Sequence, residues 1–179
     1  MRTEIRVGGF GGQGVALAGY LIGKAASLYQ DLDAVVTQAY GPEARGGASS
    51  ADIIVADGPI DYPFLTRADV LLLLSQEAYS RYRWEAHADA VVLIDDGLVT
   101  PDGGDAPHGI RATSLAEELG RRLFANVVML GFFSRVTGIV ERATLEKALE
   151  TTVPPRTLEM NLQAFALGYE SSPETEPAA

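Results

Sequence analysis

The sequence predicts an α/β protein with a single doubly wound, mostly parallel sheet and a helical C-terminal third. Three observations carry this. Short apolar runs bounded by glycine, proline and aspartate alternate with helix-period segments over the first two thirds of the chain. A glycine turn, "GGFGGQG" (8–14), joins the first strand pattern to the first helix pattern. From Ser114 onward the pattern is helical only. Alternating strands and helices lay helices on both faces of a parallel sheet, so the expected arrangement is Rossmann-like.

The elements follow in chain order. "EIRVG" (4–8) is a short strand running into the glycines, after which Val15, Ala18, Leu21, Ile22, Ala25 and Leu28 recur at helical spacing. "AVVTQA" (34–39) and "SADIIVA" (50–56) are the second and third strands, and Asp57-Gly58-Pro59 breaks the pattern. "ADVLLLLS" (68–75) reads as a strand covered on both faces, although periodicity alone does not separate it from a buried helix. "QEAYSRYRWEAH" (76–87) is expected to be a helix and "AVVLID" (90–95) a strand, followed by a loop from Asp95 to Gly109. "IRATS" (110–114) is a short edge strand or extended segment, and Ser114 with Glu117 forms an S-x-x-E capping box at the next helix start. "NVVMLGFFSRVTG" (126–138) ends on a glycine suited to a left-handed cap. "ERATLEKALETT" and, after Pro154-Pro155, "RTLEMNLQAFALG" complete the helical third. Residues 1–169 are expected to form one domain, with 170–179, polar and containing two prolines, as a disordered tail.

Composition narrows the function. With 179 residues, 47% of them apolar and 21% charged, the chain is long enough to bury a core without a staple. The absence of cysteine excludes thiolate nucleophiles, Cys-based zinc sites, cysteine-ligated iron–sulfur clusters and disulfides within this chain. A net charge of −10 offers no basic face for nucleic acid. No apolar run has signal-peptide character or the ~18 residues of a membrane span, so the expected location is the cytoplasm.

Two loops stand out. Gly9, Gly11 and Gly14 spell G-x-G-x-x-G between a strand and a helix, where helix N–H groups would meet an anion. A dinucleotide also needs a carboxylate at the end of the second strand. Asp33 has the right count but falls at the start of that strand, and its exit, "TQAY", has no acid. Structural glycines in a tight turn are the competing reading, on which Gly11→Val would damage the turn. Gly12 and Gln13 make "GGQG" more particular than the general fingerprint requires. The second loop, "AYGPEARGGASS" (39–50), carries Tyr40, Glu43 and Arg45 between Gly41-Pro42 and Gly46-Gly47. It reads either as a structural loop or as an interface or anion-contact loop with Arg45 as the hydrogen-bond fork.

Other candidates are weaker. His87 and His108 have no carboxylate at ligand spacing, and Asp95, Asp96, Asp102 and Asp105 fail the calcium-loop pattern and read as a solvated loop. Ser49 and Ser50 lack a nucleophile elbow. Tyr79, Tyr82 and Trp84 read as core or interface aromatics. No catalytic constellation and no metal site are expected in this chain.

Taken together, "GGFGGQGVALAGYLIGKAA", "AYGPEARGGASSADIIV", the "PIDYP" turn, "ANVVMLG" and "NLQAFALGYE", in that order, resemble the gamma subunit of the 2-oxoacid:ferredoxin oxidoreductases (the pyruvate, 2-ketoisovalerate and 2-oxoglutarate enzymes). The small subunit of the indolepyruvate enzyme shares a similar first loop, and a stand-alone nucleotide- or CoA-binding Rossmann-like protein is the alternative outside the family. The resemblance implies a non-autonomous, individually inactive subunit of an oxidoreductase complex that converts a 2-oxoacid to acyl-CoA, CO2 and reduced ferredoxin. The complex would use thiamine diphosphate, magnesium, iron–sulfur clusters and coenzyme A, none of them bound by this chain alone. Its partners would be alpha- and beta-type thiamine-binding subunits and a ferredoxin-like subunit or domain. Gly9, Gly11, Gly12, Gln13, Gly14, Tyr40, Gly41, Pro42, Glu43, Arg45, Gly46 and Gly47 would form one docking surface, on the CoA side, while Ala44 departs from the larger residue common in relatives. The isolated chain would expose that interface and could self-associate.

Overall fold

A computed structural model describes residues 1–39 and 48–171. Its strands are β1 (Arg2–Phe10), β2 (Asp33–Ala39), β3 (Ala48–Ala56), β4 (Ala68–Leu73), β5 (Ala86–Asp95) and β6 (His108–Ile110). Its helices are α1 (Val15–Tyr29), α2 (Gln76–Tyr82), α3 (Ala112–Glu118), α4 (Ala125–Thr137), α5 (Arg142–Glu150) and α6 (Pro155–Glu170). Short 3-10 turns at Arg83–Glu85 and Arg122–Phe124 lead into β5 and α4.

The strands form one sheet in the order β2-β3-β1-β4-β5-β6. β1, β4, β5 and β6 are parallel neighbours, whereas β3 runs antiparallel to both β1 and β2. Five strands therefore share a direction, as the mostly parallel reading expects, and β3 is wedged between the first two. The reason is chain length. The α1 crossover carries the chain past the position next to β1, and the connection through residues 40–47 is short enough to return β3 into that gap.

Alternate residues of the strands face two cores. Ile5, Val7, Ile53, Val70 and Leu72 pack with α1, α4, α5 and α6 on one face. Leu71, Leu73 and Ile94 pack with Ala78, Tyr79 and Tyr82 of α2 on the other. The four leucines at 71–74 are buried, as a strand covered on both faces requires. α4 and α6 approach backbone to backbone, because a side chain at Gly131 or Gly168 would overlap the main chain of the facing helix.

Several local expectations change. Leu28, near the end of α1, is exposed and not on the buried face. The helix expected over 76–87 stops at Tyr82, and His87 belongs to β5, which starts at Ala86. Ser114 and Glu117 do not cap α3, which begins two residues before Ser114. The Asp95 carboxylate does this instead, accepting from the Thr113 N–H at 2.9 Å and from the Thr113 hydroxyl. At the other end of that loop, Arg83 pairs with Asp102 and Asp105, and the Tyr79 hydroxyl donates to Asp105. Asp95, Asp102 and Asp105 are thus fixed by protein donors, not merely solvated. Gly138, with φ 61°, ends α4 as its sequence position predicts. The disordered tail expected over 170–179 falls, from residue 172, outside the described residues, and Glu170 is the last residue of α6.

Candidate functional site

β1 ends at Phe10 and the chain turns sharply, with the Gln13 N–H donating to the Phe10 carbonyl at 3.1 Å. Gly12 (φ 91°) and Gly14 (φ 76°) hold the left-handed conformations of this turn. Gly14 is the N-cap of α1, and its carbonyl also accepts from Asn126 Nδ2 at 3.3 Å. Gly11 does not have a positive φ, and a Cβ there would meet open space. The expectation that Gly11→Val would damage the turn is therefore corrected: strain sits at Gly12 and Gly14.

The turn lies at the C-terminal end of β1, where α1 departs over one face of the sheet and α2, after β4, over the other. Ligands of open α/β sheets collect at such a switch point. Here Gln13 spans it. Its Oε1 accepts the Phe10 N–H at 2.7 Å, and its Nε2 donates to the Leu74 carbonyl at 2.8 Å. What remains is a cavity of about 230 Å³ lined by Gly12, Gln13, Leu74, Thr113, Arg122 and Leu123. That is below the roughly 300–1,000 Å³ of pockets that enclose a cofactor-sized ligand.

The second requirement of a dinucleotide also fails. Asp33 pairs with Ala56, which pairs with Arg2, so Asp33 lies at the opposite end of the sheet from the glycine turn. The exit of β2 is in addition separated from β1 by β3. Sequence spacing located Asp33 correctly but could not reveal the interposed strand.

Tyr40, Gly41, Pro42, Glu43, Arg45, Gly46 and Gly47 lie outside the described residues. The ends of their segment are described. Ala48 pairs with Phe10, Ser49 with Gly9, and Ser50 with both Gly8 and Ala39. Ser49 Oγ donates to the Gly9 carbonyl at 3.1 Å, which gives that serine a structural partner. The bases of the two glycine-rich loops are thus neighbours on one edge of the sheet. Phe10, 39% exposed, and Leu123, 61% exposed, flank the turn.

The remaining candidates separate. Tyr79 and Tyr82 are buried in the α2 core, whereas Trp84 is exposed. His87 stands 3.9 Å from Asp69, and His108 lies at the start of β6. Among the described residues no group of three or more His, Cys, Asp or Glu side chains could hold a metal ion. The sequence reading missed Asn126 and the bridging role of Gln13; the only signal for the latter was the extra residues in "GGQG".

A Rossmann-like α/β domain whose switch point is bridged by its own glutamine is the class that fold and site define. The profile of the pyruvate ferredoxin/flavodoxin oxidoreductase family matches residues 4–171, and the chain belongs to that family. It is 46% identical to the 2-oxoglutarate synthase subunit KorC of Methanocaldococcus jannaschii, over 97% of this chain and 96% of the relative. It is 26% identical to the indolepyruvate oxidoreductase subunit IorB of Archaeoglobus fulgidus, over the full length of both. The crystal structure of the keto/oxoacid ferredoxin oxidoreductase gamma subunit from Geobacter sulfurreducens superposes with a TM-score of 0.86, 40% identity and 95% coverage of each chain.

Proposed function

We propose that this chain is the gamma-type subunit of a 2-oxoglutarate:ferredoxin oxidoreductase, inactive alone. Its glycine turn and the loop over 40–47 serve as a docking surface on the thiamine-bearing subunits. The observation that carries the reading is the 46% identity to a 2-oxoglutarate synthase subunit along nearly the whole of both chains. The lower identity to the indolepyruvate subunit, 26%, makes that substrate the second reading. The bridge from Gln13 to Leu74 and the displaced Asp33 weigh against a stand-alone nucleotide-binding protein.

In this reading residues 1–169 act as one domain. Gly11, Gly12, Gln13 and Gly14, with Tyr40, Gly41, Pro42, Glu43, Arg45, Gly46 and Gly47, present the docking surface, and Gly9, which is buried, supports it from beneath. Phe10 and Leu123, both exposed apolar side chains near the turn, support it. Partner subunits bring thiamine diphosphate, magnesium, the iron–sulfur clusters and the coenzyme A route; a chain without cysteine supplies no thiolate to a cluster. No helix among the described residues is long and apolar enough to cross a membrane, and the cysteine-free sequence suits a reducing cytoplasm.

Co-expression with alpha-type, beta-type and ferredoxin-like subunits tests the proposal. The assembled complex should oxidise 2-oxoglutarate with CoA and an acceptor, while the purified chain given thiamine diphosphate and magnesium should not. Arg45→Ala should fold normally yet co-purify poorly with the other subunits. Turnover by the isolated chain would overturn the proposal. So would full assembly of the Arg45→Ala variant with activity lost, which would move Arg45 to ligand binding.

A further inference from the structure

On the far side of the sheet from the glycine turn, β5 is an incompletely paired strand. β4 meets it at Ala68–Ala86 and again from Val70–Val91 to Leu73–Ile94. Between those pairs β5 has His87, Ala88, Asp89 and Ala90 where β4 has only Asp69. β6 covers no more than Leu93–Asp95. Among the described residues, the backbone of His87–Ala90 therefore has no register partner on either side, and Val91 and Val92 have one on the β4 side only. His87, Ala88 and Asp89 are exposed.

A trough of about 640 Å³ runs along this stretch. One wall is every residue from Ala86 to Val92, and the facing wall is Gly104–His108. Successive side chains of a strand point to opposite faces, so a wall made of consecutive residues is the strand edge itself. Trp84, 69% exposed, stands in the trough. Arg83 stacks 4.1 Å from its ring centroid and is itself held by Asp102 and Asp105, which fixes the indole in place. Arg67, also in the lining, is exposed and has no ion-pair partner among the described residues.

A row of open N–H and C=O groups is matched by another polypeptide backbone, which presents the same alternation at every residue. A small ligand satisfies one or two such groups and leaves the rest. The trough occupies the place where β6, three residues long, would continue if it were extended toward its N-terminus. Gly104–Pro107 line the trough without pairing with β5.

We propose that the edge from Ala86 to Val92 is a β-augmentation site. In the assembled enzyme an extended segment of another subunit fills it, with an acidic side chain at Arg67 and an apolar or aromatic one against Trp84. The proposal rests on the reading of this chain as a complex subunit. The two loops at the opposite edge play no part in it.

Hydrogen exchange, compared between the isolated chain and the co-expressed complex, tests it. The amides from His87 to Val92 should exchange at least tenfold more slowly in the complex. The double variant Arg67→Glu, Trp84→Ala should lose that protection in the complex and weaken assembly about tenfold, while unfolding at the wild-type temperature when isolated. Equal exchange in the two states overturns the proposal. So does slow exchange in the isolated chain that grows with its concentration, which would assign the edge to a second copy, or protection by CoA without partner subunits. Failure of the wild-type chains to co-purify would be seen before any exchange is measured. It would refute the subunit reading and this proposal with it, whereas co-purification without protection refutes the proposal alone.

Discussion

The Gln13 side chain donates to the Leu74 carbonyl at 2.8 Å, bridging the C-terminal ends of β1 and β4. The same amide accepts the Phe10 N–H, so one side chain satisfies two backbone groups that flank the switch point. Gln13→Ala removes both bonds and should cost about 1–3 kcal/mol in urea unfolding. Gln13→Glu keeps the acceptor toward Phe10 but turns a carboxylate on the Leu74 carbonyl, and should be no more stable than Gln13→Ala. An Ala variant with wild-type stability would show that the bridge does not hold the turn.

Alanine substitutions in the turn should rank by backbone conformation. Gly14 combines φ 76° with Asn126 packed where a Cβ would stand, so Gly14→Ala should be the most damaging. Gly12 has φ 91° in open space, so Gly12→Ala should lose only the left-handed preference, roughly 1–2 kcal/mol. Gly11 has neither constraint, and Gly11→Ala should be near neutral. Thermal unfolding of the three variants checks the order; a Gly11 variant as unstable as the Gly14 variant would contradict it.

Glu4 gives the fold a pH dependence. Burial alone would raise its carboxyl, but the Thr66 N–H, Arg2, the Thr66 hydroxyl and the Arg67 N–H together hold it below its ordinary 4.5. A depressed folded-state value means that the unfolded chain takes up the proton first as pH falls. The stabilisation is therefore complete above about pH 4.5 and is lost as pH drops from there through the folded value. Glu4→Gln should be less stable than wild type at pH 7, with the gap narrowing toward pH 3 in urea titrations. A gap independent of pH would assign the effect to packing alone.

The extent to which the site was legible follows the range of each interaction. The glycine turn, its place before α1 and the wrong position of Asp33 were readable, because a turn and a strand boundary are written in adjacent residues. The capping of α3 is not local. Ser114 and Glu117 match a local motif, yet the carboxylate that reaches the Thr113 N–H comes from Asp95, eighteen residues earlier in the chain. The helix expected over 76–87 ends at Tyr82, because pairing with Ala68 draws Ala86 into the sheet although Trp84, Ala86 and His87 continue a helical pattern.

The sequence by itself determined most of the strands and helices, since periods of two and 3.6 residues are properties of a short stretch; Ala86 and His87 joined a strand and Ala112–Ser114 a helix against that pattern. It also placed the left-handed end of α4 at Gly138, where only local backbone sterics act. Tertiary structure alone decided that β3 enters antiparallel between β1 and β2, and that Gln13 reaches Leu74. Among the described residues it likewise left His87–Ala90 without a register partner. Each of these depends on which distant surfaces are buried together, a free energy shared among many residues and absent from the pattern of any one of them.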